Sequence, residues 1–360
     1  GGVGGVVIAA IIAVVLSLVA YYSGDKAMLA MSRARQIQKS DNPRLFNVVE
    51  EMAIASGLPM PKVYIIDDTA LNAFATGRDP EHAAVAITAG LLAKLNRDEL
   101  QGVIAHEMSH IKNRDILFMT LAGILLGSIV LIADFFLRSL WWGGGRRRRR
   151  RSGGGGAEAI FAIVAILLAI LAPIIARLLY LACSRRREYL ADASAAAMTR
   201  YPEGLASALE KIAGDREVLE VANRATAPMY IVNPFKKKGR GIKLSDLSST
   251  HPPISERIKI LRNMTEGASL NDYSRSFSKV THSRPLVPTA IAAKEDIAIR
   301  QGSAEKGKRI EKQIHDAGDI MRKLNGFIFL TCQCGLRLKI PPNYKQKNVT
   351  CPRCSRRLGL

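Results

Sequence analysis

The chain has 360 residues, 48% of them apolar, and a formal net charge of +21. That length exceeds a typical single domain, so two or three modules are expected. A charge this large fits either a nucleic-acid binder or a membrane protein with basic flanks; the long apolar runs belong only to the second, which disfavours nucleic acid as a partner.

The opening Gly1-Gly2, in place of Met, is expected of a fragment or a processed chain, with an upstream span removed. Residues 3–22 are apolar for a membrane-spanning length, about 20 residues, and lack the basic leader of a cleavable signal peptide. Residues 47–56 show helical apolar spacing and stop at Gly57, a natural C-cap. Strands are expected at 62–67, 72–77 and 83–88, the last two around the turn Arg78-Asp79-Pro80.

A helix from about Arg97 then carries His106-Glu107-Met108-Ser109-His110. Helical positions four apart share a face, so His106 and His110 can reach one metal. Glu107, one step round, points beside that metal, where it can hold a water and take its proton. The bland alternative is a surface helix with two solvated histidines.

Residues 116–137 are again apolar, interrupted by Asp134, and 159–182 form a third run containing Pro173 and Arg177. A buried core helix explains one such run, but three of this purity point to membrane. Between the last two lie Trp141-Trp142, suited to a membrane interface, and a glycine-rich linker with six consecutive arginines at 146–151.

Zinc needs at least a third protein ligand, with a fourth position left for water in a catalytic site. Glu188 is the best candidate: it follows the third apolar run on a helix, with Asp192 four residues on to hydrogen-bond the far nitrogen of a ligand histidine. The alternative is a carboxylate neutralised by Arg185, Arg186 and Arg187. Helical segments continue to about Met264, and 266–326 read as a polar linker with one amphipathic helix at 310–324. Cys332-Gln333-Cys334 and Cys351-Pro352-Arg353-Cys354 resemble the two knuckles of a zinc ribbon, a closed structural site, although the first pair has one intervening residue where two are usual. Two loose thiol pairs are the alternative. Paired cysteines point to metal and a reducing compartment. Around them, Arg337, Lys339, Lys345, Lys347, Arg353, Arg356 and Arg357 suit an acidic partner or anionic lipid. Cys183, at the end of the third apolar run, is expected to pack.

Four stretches together carry a resemblance: Asn72-Ala73-Phe74-Ala75-Thr76-Gly77-Arg78-Asp79-Pro80, Ile104-Ala105-His106-Glu107-Met108-Ser109-His110, Ser184-Arg185-Arg186-Arg187-Glu188-Tyr189-Leu190-Ala191-Asp192, and Thr250-His251-Pro252-Pro253-Ile254-Ser255-Glu256-Arg257-Ile258. In this order, over about residues 20–265, they resemble the HtpX family of membrane zinc metalloproteases, relatives of the CaaX prenyl proteases and of mitochondrial stress proteases. The resemblance implies that His106, His110 and Glu188 bind zinc and that Glu107 is the general base. It implies an edge strand, including Asn72, Ala73, Phe74 and Ala75, that pairs with the substrate backbone. It also implies that His251 stabilises the oxyanion, with Arg257 beside it; a histidine before Pro-Pro is equally a structural turn residue. Implied substrates are misfolded or membrane proteins.

The fold class expected is an α+β membrane protein: a mainly helical zincin-type catalytic domain with a small β-sheet, three membrane helices and a small C-terminal zinc ribbon. The layout is a transmembrane helix at 1–22, catalytic parts at 23–115 and 183–265, a membrane hairpin at 116–182 with its tip at 143–156, a linker at 266–326 and the ribbon at 327–360. For His106 and Glu188 to meet, the hairpin must return to one side. Lys- and Arg-rich soluble parts put that side in the cytoplasm, beneath the plasma membrane. The arginine run opposes full crossing of the tip, so the hairpin either crosses or dips in and returns. A catalytically silent membrane scaffold is the rival reading; the presence of Glu107 disfavours it.

Overall fold

Asn42 and Gly57 bracket helix α1 (Pro43–Ser56): the Asn42 side chain accepts the Leu45 N–H at 2.8 Å, and Gly57 closes the helix at φ 70°. The structure is a computed structural model that describes residues 21–115, 156–215, 251–287, 297–303, 308–344 and 348–359, with single positions or short pieces at 15, 18–19, 117–119, 129–130, 133, 217, 231 and 346.

Four short strands, β1 (Arg35–Gln36), β2 (Lys62–Ile66), β3 (Ala73–Thr76) and β4 (Ala84–Thr88), form one sheet in the order β1-β2-β4-β3. β2 and β4 run parallel; β3 runs antiparallel to β4, with Ala75 opposite Val85, and forms one edge. Alternate side chains leave the sheet on opposite faces. Val85 and Ile87 face the main helical core, whereas Ala84, Ala86 and Phe74 meet Met28 and Leu29 from the helical residues 21–31.

Helix α2 (Ala89–Lys94) leads into α3 (Arg97–Lys112), which opens on a reciprocal cap: Asn96 accepts the Glu99 N–H at 2.9 Å and Glu99 accepts the Asn96 N–H at 2.7 Å. Leu100, Val103, Ile104 and Met108 on α3 are fully buried and form the centre of the core. Against them pack α4 (Gly156–Thr199) and α5 (Pro202–Gly214), and α6 (Ile254–Arg262) packs in turn on α5.

The C-terminal half of α4 is buried through Ala191, Ala193, Ala195 and Ala196, small residues that let helices approach closely. Its preceding stretch is the reverse: Leu167, Ile170, Ile174, Ile175, Leu178 and Leu179 are all exposed. Cys183, expected to pack, is exposed, one turn beyond Leu179 on the same side of the helix. Among the described residues no helix is long and apolar enough to cross a membrane. The first two expected spans lie mostly outside the described residues; the third falls in α4, whose described side chains begin at Ile166. The tip at 143–155 lies outside them too.

Residues 266–326 hold more than a linker with one helix. Helix α7 (Leu270–Thr281) starts on a Ser269–Asp272 capping box and sends Tyr273 and Phe277 into the core. Leu270 and Val280 pack beside them and complete an apolar stripe at helical spacing, which the polar residues around it mask in the sequence. Residues 297–303 then strap across the start of α3: Arg300 donates to Asp98 at 2.7 Å and to Gln101 at 2.8 Å, and the Ser303 hydroxyl donates to Asp98 at 2.6 Å. Helix α8 (Lys308–Leu324) follows, anchored through its Leu324 carbonyl, which accepts from Arg35 at 2.6 Å. Two hairpins complete the chain, β5 (Ile328–Thr331) with β6 (Arg337–Ile340) and β7 (Asn348–Thr350) with β8 (Arg357–Gly359). Lys339 on β6 pairs with the buried Asp319 of α8 at 2.6 Å, which ties ribbon to helix.

Gly102 sets the spacing of α3 and α5, because a Cβ there would lie 2.7 Å from the backbone nitrogen of Leu205. Backbone cannot yield as a side chain can, so Gly102→Ala should cost about 1–3 kcal/mol through overpacking. Chemical denaturation would show it as a lowered midpoint; an unchanged midpoint would mean that α5 shifts freely.

Candidate active site

Helix α3 supplies two imidazoles and α4 a carboxylate to one buried spot. His106 Nε2 and His110 Nε2 are 3.2 Å apart, with ring planes at 88°. Glu188 Oε1 is 3.5 Å from His110 Nε2 and Oε2 is 3.7 Å from His106 Nε2. The outer nitrogen of each ring faces its own carboxylate: His106 Nδ1 lies 3.0 Å from Asp192 Oδ1, and His110 Nδ1 lies 2.7 Å from Asp115 Oδ2. A proton held on each Nδ1 leaves both Nε2 atoms as lone-pair donors aimed at one another and at Glu188. Bare groups so placed repel; a cation among them resolves the conflict. A tetrahedral zinc with ~2.1 Å bonds separates its nitrogen and oxygen ligands by about 3.4 Å, and the three observed separations, 3.2, 3.5 and 3.7 Å, bracket that value. The residues present therefore fit the metal.

The electrostatics agree. Burial presses His106 toward its neutral form, yet the hydrogen bonds to Asp192 and Glu188 outweigh it and raise the ring to about 9, so the surroundings favour positive charge. Burial works against the charged form of Glu188 as well, but His251 and the two α3 histidines hold its carboxyl well below the ordinary range. Glu107 goes the other way: burial raises it, only partly opposed by His106 and His110. Glu107 is 2% exposed and accepts the backbone N–H of Ala75, so it stands between the histidines and the edge strand β3.

Helix α6 closes the far side. Pro252 and Pro253 precede its first turn, with His251 ahead of them and Arg257 on its buried face. His251 Nδ1 is 3.1 Å from Glu188 Oε2. Arg257, 1% exposed, donates to both oxygens of Asp192 at 2.8 and 2.7 Å and stands 3.4 Å from Glu188 Oε2. Its remaining nitrogen donates to the Ile231 carbonyl at 3.2 Å.

The edge strand is built more tightly than its sequence implied. Asn72 is buried just before β3, and its side chain accepts the Ala73 N–H at 3.0 Å. The Ala73 carbonyl accepts the N–H of Ile231 at 3.0 Å, so part of the outer edge of β3 already has a partner. Phe74 points to the opposite face, into the packing with residues 21–31.

Asp115, Arg187 and Ile231 are the neighbours that the motifs do not reveal. Asp115 follows the helix-ending Asn113 by two residues, and only the turn at Arg114, φ 52°, brings it back under His110. The only hint in the sequence is an acid shortly after a histidine helix. The alternative for Glu188, a carboxylate neutralised by Arg185, Arg186 and Arg187, does not hold for Arg187, which pairs with Asp115.

Cys332, Cys334, Cys351 and Cys354 place their sulfurs within 4.8 Å of one another, with 3.4 Å between Cys332 and Cys354 and 3.6 Å between Cys334 and Cys351. Zinc with ~2.3 Å bonds spaces sulfurs by about 3.8 Å, so the one-residue gap in the first knuckle does not keep its thiols from the cluster. Burial opposes the Cys351 thiolate, but the backbone N–H groups of Arg353 and Cys354 bring the thiol down to about 6, the form a metal takes.

The description of peptidase family M48 matches residues 39–265. A protease HtpX homolog of Dictyoglomus turgidum is 50% identical over 262 residues, covering 73% of this chain and 83% of that protein. One from Pyrococcus furiosus is 48% identical over 263 residues, covering 73% and 88%. The solved structure of S. mikatae Ste24p overlaps with a TM-score of 0.43 at 20% identity, over 70% of this chain and 57% of that one.

Arg257 is the cation that makes two buried carboxylates tolerable. Arg257→Met should cost about 3–5 kcal/mol, because it leaves Asp192 and Glu188 buried together without the arginine charge that balances them. Denaturant unfolding of the metal-free protein measures it, and a loss below about 1 kcal/mol would place the balancing charge elsewhere.

Proposed function

The chain belongs to peptidase family M48 and is a metalloprotease; from that premise we propose a zinc-dependent endopeptidase that cuts misfolded or membrane proteins beside the bilayer, as part of membrane protein quality control. What supports this most directly is the convergence of His106, His110 and Glu188 at 3.2–3.7 Å, with Glu107 buried between them and the edge strand. His106, His110 and Glu188 hold the zinc. When bound, zinc supplies Lewis acidity, which lowers the pKa of a water toward ~7 and polarises the scissile carbonyl.

The remaining steps belong to side chains. Glu107 takes the proton of the attacking water and passes it to the leaving amine. Its raised proton affinity, caused by burial, suits that two-way traffic. His251, held at the Glu188 carboxylate, stabilises the oxyanion from the α6 side. Asp192 orients His106, and Arg257 fixes Asp192 in turn. The substrate extends along the outer edge of β3 by backbone pairing, taking the place of Ile231 at the Ala73 carbonyl; such pairing reads shape more than side-chain identity.

A membrane position is supported by the exposed apolar stretch of α4, Leu167 to Leu179, which ends nine residues before Glu188, about 14 Å along a helix. Lipid that covers those residues lies next to the site. We place that site on the cytoplasmic side, in a multi-pass protein of the plasma membrane. The four C-terminal cysteines hold a second zinc, closed and structural.

Glu107→Gln is the decisive variant. It should retain zinc and the wild-type fold while turnover of an unfolded membrane substrate falls by at least about 10²–10⁴-fold. Metal content and peptide release are measured on the same sample. A variant that loses its metal would sink the general-base assignment, and wild-type protein unaffected by a chelator would favour a silent scaffold.

A further inference from the structure

The site contains a second histidine–carboxylate–arginine relay that none of the roles above uses. The first runs from His106 Nδ1 to Asp192, 3.0 Å, and on to Arg257, 2.7 Å. The second runs from His110 Nδ1 to Asp115 Oδ2, 2.7 Å, and on to Arg187, which pairs with the other oxygen of Asp115. Asp115 is 5% exposed, so its charge needs both partners.

The two relays differ in where the arginine comes from. Arg257 belongs to α6, inside the core. Arg187 belongs to α4, directly before Glu188, and makes two further contacts across the gap to the end of α3. It donates to the Asn113 carbonyl at 2.9 Å, and its guanidinium lies 4.3 Å from the ring centroid of Phe118. Phe118 stands at the start of the second apolar run, and Arg187 stands just past the end of the third. One side chain therefore ties together the feet of both apolar legs and the carboxylate under a candidate ligand.

A carboxylate on the outer nitrogen of a metal-binding imidazole fixes the ring's tautomer and direction and makes the inner nitrogen a better donor. We propose that Asp115 and Arg187 are positioning residues for His110, a latch through which the approach of the Asn113-to-Phe118 segment to the foot of α4 sets the metal affinity of the site. The inference rests on the assignment of His106, His110 and Glu188 as metal ligands. A merely structural ion pair would affect folding stability and leave metal affinity alone.

The test uses the full chain in detergent on a Glu107→Gln background, which removes the general base and leaves the ligands in place, with zinc affinity read by competition with a chromogenic chelator. Asp115→Ala should weaken one zinc by about 10–100-fold, the usual cost of losing such a partner, and leave the cysteine-bound zinc untouched. Asp115→Asn keeps the shape and serves if the alanine variant does not fold; it should weaken the same zinc in the same direction. Arg187→Ala should do less, and Asp115→Ala with Arg187→Ala should do no more than Asp115→Ala alone, because the arginine acts through the carboxylate. Unchanged zinc affinity in a folded Asp115→Asn or Asp115→Ala protein would overturn the latch. If the parent itself holds no zinc at the histidines, the ligand assignment fails, and the latch with it.

Discussion

Three electron-rich groups pressed together in a buried pocket repel one another unless a cation sits among them, and much of this molecule is built to hold that unfavourable arrangement in place. His106, His110 and Glu188 come from two helices far apart in the chain. Their approach depends on the reciprocal cap at the start of α3, on the alanine-lined half of α4, and on Gly102, which lets α5 close over α3. Arg257 supplies the positive charge that keeps Asp192 and Glu188 buried together. The strap at 297–303 clips the beginning of α3 to the end of α4, where Arg300 bonds both Asp98 and the Thr199 carbonyl. That strap lies beyond the residues matched by the peptidase family, so the C-terminal extension adds its own brace to the catalytic helices.

Much of this was legible because the chemistry repeats at helical spacing. His106 and His110 are four apart, as are Glu188 and Asp192, and each pair therefore faces one way. The strands around residues 62–88 were legible as short apolar runs bounded by Pro61 and the Arg78-Asp79-Pro80 turn, and the structure places β2, β3 and β4 there. Other features had no such signature. Asp115 reaches His110 only because Arg114 turns the chain in the left-handed region. Arg187 looks like one of three equivalent arginines until its neighbours across the gap are known. Ile231 meets the edge strand from a remote part of the chain. These are tertiary relations, which a local pattern does not encode.

Helix α4 joins an exposed apolar stretch and a buried one in one element. Its earlier turns expose leucine and isoleucine, whereas its later turns are sealed by alanine and carry the ligand carboxylate. Such a helix suits the membrane position proposed for this protease, with the exposed turns facing lipid and the buried turns holding the carboxylate within the core. The ribbon sits apart from this, joined through Asp319 and Lys339 to α8, with its own sulfur-lined centre.

X-ray absorption at the zinc edge tests the central claim most directly, on full-length protein in which Cys332 and Cys334 are changed to serine so that only one metal centre of the original kind remains. The account predicts one zinc with a shell of nitrogen and oxygen near 2.0–2.2 Å and the scattering pattern of two imidazoles. A zinc shell without imidazole, or no zinc at all in a folded and otherwise intact protein, would contradict it.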